Sequence, residues 1–373
     1  MELSSLAPVR SPALLIDVGQ VERNIAATLE LLGSAERWRP HLKTAKLAWT
    51  MRKLRGAGVA QAKCATPLEL ETACGAGFDD VLLAYPAAGP AVALTRALAV
   101  DHPTVRISAL VESENMVPAW QGGTVGLFVD VNPGMDRTGI PADSNRILSV
   151  IRAIERAGLE WRGLHYYDGH AAGAAVHAGY DELLRVADGL RREGCPPQEI
   201  VTAGTPAFAA ATGYRTLMEA GYLHRLSPGT VVYCDVRSLE QLPAGRGYGA
   251  AALVLSRVVS HPAPTRITCD AGHKTVSADA GDPTCAVLGH PDWTPRHPSE
   301  EHLPIDLPAG TTLPARGTPL LLVPLHVCPT VNNFDQAVLM AGDALQEVER
   351  VTARGRHPPL DGSSALWNRA RTA

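Results

Sequence analysis

From about residue 20 to residue 243, short β-branched runs alternate with Ala- and Leu-rich stretches, and this alternation limits the fold more than any other feature. The strand candidates are 59–63 (VAQAK), 80–85 (DVLLAY), 105–111 (VRISALV), 124–131 (TVGLFVDV), 162–167 (RGLHYY) and 199–203 (EIVTA). Helical segments lie between them, among them 66–76 (TPLELETACGA) and 144–157 (SNRILSVIRAIERA). In the second, apolar residues at 147, 148, 151 and 154 line one helical face. Gly75, Gly77 and Gly158 follow such helices, where a left-handed cap is expected. Parallel strands need crossover helices, and repeated units over roughly 220 residues match the size of one (β/α)₈ barrel. A doubly wound sheet is the alternative that periodicity leaves open.

Near residue 244 the pattern changes. YGAAALVLSRVVSH, TRITCDAGHKTVSAD and TPLLLVPLHVCPTV read as strands, and the Pro-, His- and Asp-rich 286–318 region reads as loops. The expected organisation is an α/β chain with a barrel over 20–243 and a mainly β domain built from 1–19 and 244–373. The stretch 13–17 (ALLID) joins that second domain if Asp17 caps a helix beginning near Val21. The C-terminal 355–373 is expected to fray.

Composition narrows the function classes. With 46% hydrophobic and 19% charged residues, the 373-residue chain is not intrinsically disordered. A net charge of −4 argues against a dedicated nucleic-acid binder, and no apolar run approaches the roughly 18 residues of a membrane span. The start, MELSSLAPVRSPALLID, lacks the apolar core of a secretory signal. Seven cysteines without paired spacing fit reduced thiols, so a cytoplasmic location is expected.

The segment 39–46 reads Arg-Pro-His-Leu-Lys-Thr-Ala-Lys. A barrel places its chemistry at the C-terminal ends of its strands, so Lys43 is positioned to reach the mouth. A buried lysine of lowered pKa can form a Schiff base with an aldehyde cofactor, although an isolated lysine is more often an ordinary surface residue. The neighbouring motifs carry more weight. RPHLKTAK, AKCATPLELETACGAGFDDVLLAYP, NPGMDRTGIP (132–141), YYDGH (166–170), TAGTPAF (202–208), SPGTVVYCD (227–235), DAGHKTVSAD (270–279), SEEH (299–302) and PLHVCPTVNNFD (324–335) occur in order. Together they resemble the D-threonine aldolase and D-serine dehydratase family, alanine racemase-like enzymes of pyridoxal-phosphate fold type III.

The resemblance implies a (β/α)₈ barrel with a C-terminal β domain, a homodimer, and Lys43 as the lysine that carries pyridoxal 5'-phosphate. Gly204 and Thr205, in a turn after a strand, can offer backbone N–H groups and a hydroxyl to a phosphate. Gly229 and Thr230, in Pro228-Gly229-Thr230, form a second loop of that kind, and the resemblance assigns both loops to the cofactor's phosphate. Either loop alone reads equally well as a simple glycine turn. Arg137 matches the arginine near the cofactor's phenolic oxygen or lysine, against a plain ion pair with Asp136. Tyr167 is expected to pack on or hydrogen-bond the ring, and His41 to support the site from behind.

His326 and Cys328 alternate by two in a strand-like run, so both would face one side. Imidazole and thiolate suit a borderline-soft ion such as Zn²⁺, although a core cysteine beside a histidine gives the same spacing. In the family this position binds a divalent ion (Zn, Mn, Mg or Co), leaving other coordination positions for water and the amino-acid substrate. His170 or a metal-bound hydroxide would then take the substrate's β-hydroxyl proton in a retro-aldol cleavage to glycine and an aldehyde. Dehydration to a keto acid and ammonia, with Lys43 removing the Cα proton, uses the same residues. Cysteine as second ligand resembles the dehydratases, whereas YDGH resembles the aldolases, the preferred reading. Ala45 departs from the frequent KTHK form. A racemase lacks its second base here, and the lone-barrel pyridoxal-phosphate carrier proteins are too short.

Overall fold

Asp17 ends one sheet and begins the helix that leads into the other. Ala13–Asp17 is a strand with a buried centre; Asp17 stays extended, and its carboxylate accepts the Gln20 N–H at 2.9 Å to cap the helix Val18–Leu32. That bond satisfies one of the N–H groups a helix start leaves unpaired. The expected cap is present, with the helix starting three residues before Val21. The computed structural model describes residues 3–169 and 171–360.

The helix delivers the chain to the extended segment 38–41, where Trp38 bridges Leu226 and His41 bridges Lys63, both in parallel sense. Seven regular strands pair in parallel, in the order Gln61–Cys64, Asp80–Leu83, Arg106–Val111, Gly126–Asn132, Trp161–Tyr166, Glu199–Thr202 and His224–Leu226. Because segment 38–41 joins the first of these to the last, the sheet closes on itself as a (β/α)₈ barrel and the doubly wound alternative falls. Six of the seven strands coincide with the predicted runs to within two residues at each end. Helices Pro67–Gly75 and Arg146–Arg156 also stand where expected, the latter burying Ile147, Val150, Ile151 and Ile154. Gly77 and Gly158 take left-handed backbone (φ 88° and 69°). Gly75 does not, since it is the last helical residue before Ala76 bonds back to Thr72.

Two alternating sets of residues fill the strands. Val81, Ala109, Leu127 and Leu164 pack outward against the helices in the main core. Leu82, Leu110, Phe128 and Val201 form a separate cluster from four strands, which is the barrel interior. Nearer the N-terminal end the interior is ionic. Arg39, fully buried, donates to Glu199 (2.6 and 2.8 Å) and Asp80 (2.9 Å), and Arg225 also pairs with Glu199. Removing one partner of such a cluster leaves a buried charge uncompensated, which costs about 3–5 kcal/mol.

The second sheet is mainly antiparallel. Ala252–Ala263 lies at its centre, flanked by Ala13–Asp17, Arg266–Cys269 and Pro319–Pro324. Ala13–Asp17 also pairs in parallel with Gln336–Ala341, so the chain's first strand sits inside the C-terminal sheet. The region expected as loops contains short strands at Cys285–Val287, Thr294–Pro295 and Leu303–Asp306. Each is too short to read as periodic, and two of the three contain proline; their partners across the sheet define them. No helix among the described residues is long and apolar enough to cross a membrane.

Candidate functional site

The C-terminal ends of the barrel strands open on a cleft of about 500 Å³ that also reaches the second sheet. Lys43, Tyr167, Gly204, Thr205, Gly229, Thr230, His326 and Cys328 all line it. Arg137 stands just outside, and His170 lies outside the described residues.

Lys43 is half-buried in the turn that follows the His41 bridge, with Nζ 5.9 Å from the Tyr167 ring centre. Tyr167 is the first residue past the strand Trp161–Tyr166, and the exposed Arg137 lays its guanidinium 4.4 Å from the ring centre. That is a cation–π distance. Asp136 accepts from Asn132 Nδ2 at 2.9 Å instead of pairing with Arg137. His41 lines the cleft and receives the Lys43 backbone N–H at 3.4 Å. Burial, then the charges of Lys43 and Lys63, hold its imidazole well below the ordinary range, so it is neutral.

Gly204 caps the nine-residue helix Thr205–Gly213, whose positive end faces the cleft. Thr205 Oγ1 and Ser227 Oγ are buried there and have no hydrogen-bond partner among the described residues. An unpaired buried hydroxyl costs about 1–3 kcal/mol, so both groups fit a ligand that brings acceptor oxygens, as a phosphate does. The glycines have a packing reason as well. A Cβ on Gly229 would lie 2.2 Å from the His41 carbonyl oxygen, and one on Gly204 would lie 2.9 Å from the Tyr167 ring. Thr230 points its hydroxyl to within 3.6 Å of Cys328 Sγ.

The expectation that His326 and Cys328 alternate along one strand is corrected. The strand ends at Pro324; His326 is the extended residue before the helix Val327–Asn332, and Cys328 lies in that helix's first turn. The Val327 N–H goes to Asp235 Oδ2 at 3.0 Å, and Pro329 has no N–H to offer a sheet but suits a first helical turn. The two side chains still line the same cleft and act on each other electrostatically, His326 from just outside the helix and Cys328 from its first turn. Burial lowers the His326 pKa, but Cys328 and Asp279 outweigh it and raise it to about 9. Burial raises the Cys328 thiol, while His326, Lys43 and Thr44 bring it below its ordinary value.

Asp279 Oδ2 holds His326 Nδ1 at 2.7 Å and so leaves Nε2 for a ligand. A carboxylate behind a metal-binding imidazole is the usual orienting arrangement. The donor chemistry of the pair therefore fits a borderline divalent ion with open coordination positions. No group of three or more His, Cys, Asp or Glu that could hold a metal occurs among the described residues.

Sequence reasoning passed over Ser227, Asp279, Thr44 and Lys63. All four sit inside the family-like motifs, but only their spatial partners distinguish them. Asp168, also missed, is buried behind Tyr167, where it accepts from Tyr180 at 2.5 Å and from the Gly204 N–H at 3.3 Å.

Comparison with known proteins bears on the family and the fold. Residues 16–235 match the family described as "Alanine racemase, N-terminal domain", and 251–340 match "Putative serine dehydratase domain". The chain is 28% identical over 380 residues to a D-threonine aldolase of an Arthrobacter species, covering 94% of each. It is 24% identical over 383 residues to a D-threo-3-hydroxyaspartate dehydratase of a Delftia species, covering 93% of this chain and 98% of the relative. The crystal structure of D-threonine aldolase from Filomicrobium marinum superposes with a TM-score of 0.85 at 27% identity, covering 94% of this chain and 97% of that one. With the first match spanning more than half of its length, the chain belongs to the alanine racemase-like, D-threonine aldolase and D-serine dehydratase family of fold type III pyridoxal-phosphate enzymes.

Proposed function

We propose that the chain is a pyridoxal-phosphate- and divalent-metal-dependent lyase that cleaves D-3-hydroxy-amino acids between Cα and Cβ, giving glycine and an aldehyde. The observation that carries this reading is the convergence of Lys43, two buried hydroxyls unpaired among the described residues and the His326–Cys328 pair on one cleft. Lys43 would hold the cofactor covalently, Thr205, Ser227 and the helix start behind Gly204 would bind its phosphate, and Tyr167 would face its ring. The cofactor, when bound, draws electrons from the substrate bond aligned perpendicular to its ring. His326 and Cys328 would hold an ion that supplies Lewis acidity at a substrate hydroxyl.

The protein's own groups then have distinct tasks. Asp279 keeps His326 in one orientation, and Thr44 keeps the Cys328 sulfur beside the turn of Lys43. His170, in the segment after Tyr167, would accept the β-hydroxyl proton. A homodimer, as in the family, would complete the mouth of the cleft.

Aldol cleavage is preferred because the D-threonine aldolases of Arthrobacter and Filomicrobium are similar over nearly the whole chain. Dehydration is the second reading, favoured by cysteine as second ligand and by the likeness to the Delftia dehydratase. The holoenzyme incubated with D-threonine, D-serine and D-3-hydroxyaspartate, with each product measured, tests both. Equal amounts of glycine and aldehyde are expected. Keto acid and ammonia would replace the first reading by the second, and neither product would overturn both. Lys43→Ala is expected to abolish the cofactor's imine absorbance and turnover together.

A further inference from the structure

Beneath the cleft, three buried side chains from three strands form one hydrogen-bonded chain. His165 Nδ1 lies 2.7 Å from Asp130 Oδ1, and Thr138 Oγ1 donates to the other Asp130 oxygen at 2.7 Å. His165 Nε2 lies 3.3 Å from Lys63 Nζ. All three are sealed from solvent, Lys63 being 2% exposed. A carboxylate only accepts, so the His165 proton belongs on Nδ1, which leaves Nε2 to accept from Lys63. Asp130 thus orients His165, and His165 orients Lys63.

The free end of this chain points to the site. Lys63 Nζ lies 5.8 Å from the Tyr167 ring centre, where Lys43 (5.9 Å) and Arg137 (4.4 Å) also converge. A lysine buried for structure alone takes a carboxylate partner, as Lys46 does with Glu69 at 2.7 Å. Lys63 has no ion pair among the described residues and meets an imidazole acceptor instead. Lys43, Arg137, His41 and His165 face it with cationic or basic groups, and Asp130 and Asp168 with acidic ones. Burial first, then the Lys43 charge, lower its pKa, to about 7 while Lys43 is a free amine; burial, the larger cause, persists when Lys43 carries the cofactor.

We propose that Lys63 is a positioning residue of the cofactor site: held by the His165–Asp130 pair, its amine acts through Lys43 and Tyr167 to set the positive charge beneath the bound cofactor. The proposal rests on Lys43 being the cofactor lysine, as argued above. When protonated, Lys63 adds a cation in a dry, low-dielectric floor where charge acts strongly. When neutral, it removes that charge. One proton is gained or lost at Nζ, and no covalent bond to carbon changes.

The test is a pH titration of the absorbance of the cofactor-loaded protein from about pH 6 to 9, a range that brackets Lys63. Wild type, Lys63→Met, Lys63→Arg, Asp130→Asn and Lys43→Ala are compared, with kcat/KM profiles alongside. A spectral midpoint in wild type should move by about one pH unit or more, or vanish, in Lys63→Met. Lys63→Arg should hold the low-pH spectrum throughout, and Asp130→Asn should give a smaller shift. An unchanged midpoint in a folded Lys63→Met protein overturns the proposal. If that variant does not fold, unchanged midpoints in Lys63→Arg and Asp130→Asn overturn it equally. Lys43→Ala separates the two readings: imine absorbance that survives there defeats the cofactor assignment itself. Absorbance lost there, together with a wild-type midpoint in the Lys63 variants, defeats only this proposal.

Discussion

The Thr44 hydroxyl lies 2.9 Å from the Cys328 sulfur, one residue from Lys43 and 284 positions away in sequence. Through this contact the barrel's first turn and the short helix of the second sheet share one cleft, and the proposed cofactor lysine stands beside the proposed metal pair.

If His326 and Cys328 hold a divalent ion, Cys328→Ala should leave the purified protein without stoichiometric metal. Asp279→Ala, which removes the carboxylate behind His326, should weaken metal binding by about 10- to 100-fold. Elemental analysis and chelator titration measure both. Wild-type metal content in Cys328→Ala would sink the ligand assignment.

Thr205→Val and Ser227→Ala each remove a buried hydroxyl that has no partner among the described residues. A hydrogen bond to a charged group contributes about 1.5–3 kcal/mol, so each change should weaken pyridoxal-phosphate binding roughly 10- to 100-fold. The cofactor-free variants should melt no lower than wild type, because no internal bond is lost. Fluorescence titration of the cofactor into apoprotein, paired with melting curves, separates these outcomes. Equal loss of stability in the apoprotein would mean the hydroxyls are structural.

Gly229→Ala places a methyl group 2.2 Å from the His41 carbonyl oxygen. The Gly229 backbone (φ −112°, ψ −41°) is open to any residue, so the penalty is purely steric. Overpacking of this kind costs about 1–3 kcal/mol. Calorimetry should show a lower Tm, and a wild-type Tm would show that the loop yields freely.

Lys63 gives stability a pH dependence with a definite sign. Its folded pKa is about 7, against about 10.4 in an unfolded chain. Between those values the unfolded state holds the extra proton, so stability rises with pH through the window. The burial penalty is complete below about pH 7 and absent above about 10.4. Lys63→Met removes it, so the variant's Tm relative to wild type should be most favourable at or below pH 7 and decline toward pH 10. A difference that does not vary with pH would mean that Lys63 does not titrate in this range.

Most of the barrel was legible because buried parallel strands read as apolar runs, and the helices between them keep a one-sided face. Two staves were not. His224–Leu226 spans three residues, and segment 38–41 carries Arg39 and His41, so neither looks like a strand. Both are held by closure of the sheet and by the Arg39–Glu199–Asp80 and Arg225–Glu199 pairs. The His326–Cys328 segment looked like a strand for the opposite reason. Its apolar alternation is real, but Pro329 and the Asp235 carboxylate turn it into a helix.

The amino-acid order alone determined the strand–helix period, the Asp17 cap and the succession of motifs that identifies the family. These depend on residues a few positions apart, whose burial and capping are local matters of geometry. Tertiary structure alone decided that Lys63 meets His165, 102 positions away, that Asp279 orients His326, and that the Thr205 and Ser227 hydroxyls face a cleft without a partner among the described residues. Those relationships arise only when the barrel closes and the second sheet docks over its mouth. Distant polar groups are then brought into hydrogen-bonding range, and the low dielectric around them makes each pairing, or each missing partner, count.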